Sequence, residues 1–169
     1  MAVIIAAVLA VDRAVHLSSG LLWGLSLWGA LHLFGGTVTL PEGWPASGPE
    51  RVFYNLWIIP ERLKYDQVVH AFGFGMTTWL CWQALRSALV KRCGSPGAVQ
   101  LSWGLAILCI AAGMGFGALN EVLEFAATLT VPNTNVGGYE NTAWDLVSNL
   151  VGSVLAMTVI ACHERRRHS

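Results

Sequence analysis

The chain has 169 residues, 54% of them hydrophobic and only 12% charged, with ten basic and ten acidic side chains. Soluble domains carry about 25% charged residues, so this composition, with a mean hydropathy of +0.55, points to a membrane solvent rather than a water-exposed globule. The zero formal net charge leaves no global field to attract nucleic acid or an acidic partner.

A spanning helix needs about 20 mostly apolar residues. The opening run, residues 2–11, would reach only about 15 Å as a helix and is expected to be a short, incomplete fifth segment. It lacks the basic leader of a cleavable signal. Full spans are expected at residues 17–35, 68–90, 99–128 and 143–161. The third run stays apolar to Val131 and contains Gly113, Gly115 and Gly117. With no strand before them, these glycines read as a helix-packing surface and not as a phosphate loop. Between the first and second full spans lies a long loop, residues 36–64, with Pro41, Pro45, Pro49 and Pro60. Its stretch 52–59 is apolar but too short to span, and is expected to lie at the bilayer interface. The reading is an all-α, polytopic transmembrane helix bundle forming one integral membrane domain over residues 1–169, with four full spans and the partial fifth.

Orientation follows from basic residues in short connections. Arg13, the turn 91–97 with Lys91 and Arg92, and the tail Arg165-Arg166-Arg167 fall on one side, expected to be cytoplasmic. Loops 36–64 and 132–142 then face outward, although Arg51, Arg62 and Lys64 sit in the first of them. Trp44, Trp57, Tyr65 and Trp144 are expected in the outer aromatic belt. The cysteines, Cys81, Cys93, Cys109 and Cys162, show no metal-binding or disulfide spacing.

With that topology the polar residues gather at one depth. His32 closes the first full span. Asp66 and His70 open the second. Glu121 and Glu124 lie towards the outer end of the third, with Asn120 beside them. Asp145 and Asn149 open the fourth. The i,i+3 and i,i+4 spacings put each pair on one helical face. Asp66 as an N-cap, and Asp145 in a Thr142–Asp145 capping box, have ordinary structural explanations. The glutamates do not, because they lie towards a helix C-terminus where the dipole disfavours negative charge. An acid inside a membrane helix costs about 2.5–3.5 kcal/mol, so two on one face call for a cation, shared protons or the histidines. Carboxylate and imidazole together suit Zn, Fe or Mn, and carboxylates alone suit Mg. The candidate metal ligands are His32, Asp66, His70, Glu121, Glu124 and Asp145, with Asn120, Asn149 and Tyr65 in support.

Leu31-His32-x-x-Gly35-Gly36, Tyr65-Asp66-x-Val68-Val69-His70, Ala118-Leu119-Asn120-Glu121-x-x-Glu124 and Trp144-Asp145-x-x-x-Asn149-x-x-Gly152, in this order, resemble the YjdF-like inner-membrane proteins of bacteria. More distantly the order is similar to VanZ-like membrane proteins. The resemblance spans residues 32–152. It implies a multi-pass inner-membrane protein and brings no established reaction.

Three functions follow as expectations. One is a metal-dependent hydrolase or transferase on a lipid-linked or envelope substrate, with Glu121 or Glu124 as ligand or general base. The second is a structural or assembly protein whose polar cluster locks the bundle. The third is a transporter or proton relay, opposed by the absence of matching acids in the inner half of the spans.

Overall fold

The computed structural model describes residues 2–48, 50–95, 99–131 and 134–168; the loop prolines Pro49, Pro96 and Pro132 lie outside it, as do the side chains of residues 2–4 and of Arg167 and His168. The fold is mostly helical. Helices α1 (Ala2–Val15), α2 (Ser19–Thr37), α3 (Tyr65–Cys93), α4 (Trp103–Thr130) and α5 (Tyr139–His168) follow the apolar runs, each lasting beyond its expected C-terminal end. Ser18 and Ser102 cap α2 and α4, each accepting from the backbone N–H three residues on. Gly94, at φ 71°, closes α3 in the left-handed conformation that glycine adopts without a Cβ clash. Helices α4 and α5 are each long and apolar enough to cross a membrane.

The loop 36–64 is not a featureless interfacial stretch. Phe53–Asn55 form a 3-10 turn, and β1 (Trp57–Ile59) pairs antiparallel with β2 (Leu63–Lys64), with a bulge between Trp57 and Ile59. This hairpin is the exception to the expected all-α fold. Arg51 braces the loop by donating to Pro41 O at 2.6 Å and Trp44 O at 3.2 Å. Phe53 packs against Phe34, Trp44 and Tyr65, which pins the loop to the end of α2.

Helix α3 touches each of the other four helices, and its broadest contact is with α5. That contact depends on missing side chains. A Cβ on Gly75 would lie 3.1 Å from Gly152 O, and one on Gly152 would collide with Ala71 O. Small residues let helix backbones approach this closely. On α4, Gly113 makes room for Thr78 and Ser153, and Gly117 for Asn149, whereas Gly115 faces open space. The triple-glycine motif is therefore a two-glycine face, and four and seven residues beyond Gly117 it carries Glu121 and Glu124 to the same interior. Trp82, Ala106, Cys109, Met157 and Ile160 form an apolar core towards the other end.

Candidate functional site

The close α3–α5 crossing at Ala71, Gly75 and Gly152 places His70 beside Asn149, one turn before Gly152. His70 Nδ1 lies 3.1 Å from Asn149 Oδ1, and 3.8 Å from Glu121 Oε1 on α4. Its Nε2 lies 3.6 Å from Asp66 Oδ1, one turn back on α3. His70 thus stands where three helices meet.

Neither capping explanation survives. The side chain of Gln67, not Asp66, accepts the Lys64 N–H at the start of α3, at 2.9 Å. Asp66 sits inside the first turn and faces His70. Helix α5 begins at Tyr139, so Asp145 lies well inside it, and its side chain is 1% exposed. Asn141 donates to Asp145 Oδ2 at 2.6 Å, and Lys64 Nζ donates to Asn141 Oδ1. Asp145 Oδ1 is buried with no hydrogen-bond partner among the described residues. A buried carboxylate oxygen left without a partner costs more than a neutral group would.

Among the described residues, two triplets bring their ligand atoms within 4.8 Å of one another: Asp66, His70 and Asp145, and His70, Glu121 and Glu124. They share His70. Asn120 ties the second triplet together, donating to Glu124 Oε1 at 2.7 Å and Glu121 Oε1 at 3.4 Å. The carboxylates of both triplets therefore converge on one imidazole, while the ammonium of Lys64, a residue only 7% exposed, reaches Asp145 alone and through Asn141.

The donor set fits a divalent cation on three counts. An amide oxygen only accepts, so Asn149 Oδ1 accepts a hydrogen bond from His70 Nδ1 and leaves Nε2 turned towards Asp66. Metal-bound histidines are usually oriented by such a bond from the other ring nitrogen. The 3.6 Å gap from Nε2 to Asp66 is too long for a hydrogen bond. It is close to the separation of about 3.4 Å between neighbouring ligands of a tetrahedral ion with bonds near 2.1 Å.

His32 and Tyr65 stand apart from both triplets. His32 Nδ1 pairs with Tyr54 OH at 2.5 Å, and Tyr65 OH donates to Leu31 O at 3.0 Å. Burial first, then the negative charge of Asp66, and after them Tyr65 and Glu124, hold the Tyr54 phenol far above its ordinary pKa. It stays protonated and pairs with His32 Nδ1. Tyr54, Lys64 and Asn141 were not among the residues singled out from sequence. Only Asn141 carried a legible signal there, the i,i+4 spacing to Asp145 that extends to Asn149 and Ser153.

Below the triplets a polar line on α5 runs from Asp145 through Asn149 to Ser153, whose hydroxyl has no partner among the described residues. It stops at the core of Trp82, Cys109 and Met157.

No curated protein and no solved structure shows a significant match to the chain. Residues 1–166 match the family described as "Predicted membrane protein (DUF2238)", in agreement with the YjdF-like resemblance, and the chain belongs to that family of membrane proteins.

Proposed function

We propose that the protein is a multi-pass inner-membrane protein of four full spans that binds a divalent cation through Asp66, His70 and Asp145 at its outer face. On this reading it acts as a metal-dependent hydrolase or transferase on a lipid-linked or envelope substrate. The observation that carries it is Asp145 Oδ1, buried and partnerless beside a histidine whose other nitrogen is already committed. The large apolar side chains left exposed along α4, from Trp103 to Leu129, suit a lipid solvent. Lys91 Nζ donates to Ala14 O at 2.7 Å, which joins two basic connections at the end opposite the acids and favours a cytoplasmic placement for that end. Two of the three basic residues on that side are hydrogen-bonded within the chain, Arg51 at the surface and Lys64 buried, which weakens their claim on topology.

The bound cation would lower the pKa of a water and polarise an oxygen of the substrate. The chain's own residues do the rest. Asn149 fixes the tautomer of His70. Glu124, less buried than Glu121 and steered by Asn120, is placed to take a proton from the attacking water.

The test is turnover of polyprenyl-linked and phospholipid substrates in reconstituted vesicles, read beside metal content. Glu124→Gln is expected to keep the cation and lose at least a hundredfold in rate. Unchanged turnover in that variant contradicts the role of Glu124. Full retention of fold and of turnover after the cation is stripped contradicts the enzymatic reading. The His70 contacts to Asn149 and Glu121 also bolt α3, α4 and α5 together, which favours the structural reading as second. Stability that falls equally in Glu121→Gln and Asn149→Ala, with no cation bound in wild type, would establish that alternative.

A further inference from the structure

The opposite end of the bundle contains a cleft of about 760 Å³ between the joint of α1 and α2, helix α3 and helix α5. Along α3 it runs from Met76 to Val90, about 21 Å by helical rise. Its chemistry changes along that length. The part nearer the middle of α3 is apolar, with Met76, Trp79 and Ala156 and with Val159 on its exposed rim, while the end towards the helix termini presents Arg86, Glu164 and His163.

The charged pair at that end is incomplete. Arg86 Nη1 lies 3.8 Å from Glu164 Oε1, beyond hydrogen-bond range. Glu164 is 7% exposed, yet its Oε2 has no partner among the described residues, and neither has Arg86 Nε. A buried carboxylate with an unused oxygen, next to a guanidinium with an unused donor, is a costly arrangement unless a third group completes it. That group must offer an acceptor to Arg86 and a donor to Glu164. A simple cation is repelled by Arg86, and an anionic headgroup without a donor is repelled by Glu164. A phosphate bearing an ammonium arm satisfies both, and the apolar length of the cleft suits an acyl chain.

We propose that this cleft binds one zwitterionic aminophospholipid, with its phosphate on Arg86, its ammonium on Glu164 and an acyl chain along the wall from Met76 to Val159. The site is separate from the acid cluster, with which it shares no lining residue. It does not depend on whether a metal binds there.

The test uses the full chain, incorporated into bilayers of equal parts phosphatidylethanolamine and phosphatidylglycerol, extracted in mild detergent and weighed by native mass spectrometry. The wild type is expected to retain one phosphatidylethanolamine with at least tenfold preference over phosphatidylglycerol. Glu164→Gln should reduce that preference below twofold, and Arg86→Gln should lose retention of both lipids. Should the charge variants not fold, Val159→Trp, which fills the apolar wall and spares the pair, must reduce retention at least fivefold. Equal retention of the two lipids by wild type, a preference for phosphatidylglycerol, or a phosphatidylethanolamine preference unchanged in the folded variants overturns the proposal.

Discussion

At the end formed by Tyr65 and Tyr139, four carboxylates surround one central imidazole; at the other end one carboxylate, Glu164, faces one guanidinium, Arg86. Both ends bury charge, and both leave an oxygen without a partner, but the imbalance differs. The Arg86–Glu164 pair is neutral as a unit and lacks only hydrogen bonds. The acid cluster holds four carboxylates and is short of positive charge. A pair short of hydrogen bonds calls for a dipolar guest, whereas a cluster short of positive charge calls for a cation or protons.

The contrast can be broken at the acid cluster first. His70→Ala removes the residue common to both triplets, and cation affinity should fall by more than about a hundredfold, beyond the usual loss for a supporting residue. Isothermal titration with Zn²⁺ and Mn²⁺ on the folded variant measures it, and an affinity within threefold of wild type would rule out His70 as a ligand. The crossing that brings the triplets together comes next. Gly152→Val drives a Cβ into Ala71 O and should cost about 3 kcal/mol, or prevent folding. Denaturation in mixed micelles reports it, and a loss under about 0.5 kcal/mol would show that the helices can separate freely. Asn149→Ala releases the tautomer of His70 and should weaken the cation by about 10–100-fold without displacing it. At the Arg86–Glu164 end the expected effects are smallest. The double change Arg86→Met with Glu164→Leu should stay within about 1 kcal/mol of wild type, because a neutral pair replaced by apolar groups leaves no orphan charge, while Arg86→Met alone should cost more. If the single and double variants lose the same stability, the two side chains do not act as a pair.

Much of this arrangement was legible in the sequence, because helix periodicity and apolar length are local properties. The runs that became α2 to α5 and the faces bearing Asp66/His70, Glu121/Glu124 and Asp145/Asn149 needed no knowledge of partners. The start of α5 was misplaced because 139–142 is polar and looks like loop, and that error made Asp145 resemble a cap residue. The hairpin was illegible for a different reason. A short apolar run such as 52–59 has no periodicity strong enough to separate strand from interfacial segment. His32 was grouped with the acids on depth alone, whereas its partner Tyr54 arrives from that same loop. Lys64 counted as a topology signal, and only the packing of α3 against α5 shows that its ammonium turns inward to Asn141. Pairwise spacing reports which residues share a face, but not which faces meet.

The most direct test of the central claim is the metal content of detergent-purified protein, prepared without chelator, beside the Asp145→Asn variant. That substitution keeps the size of the side chain and removes the charge of the partnerless oxygen. Binding through Asp66, His70 and Asp145 predicts close to one divalent transition metal per wild-type chain, and at least a tenfold loss in a folded Asp145→Asn. A folded wild type that holds no metal after equilibration with Zn²⁺, Fe²⁺, Mn²⁺ and Mg²⁺, or a variant that holds as much as wild type, would contradict it.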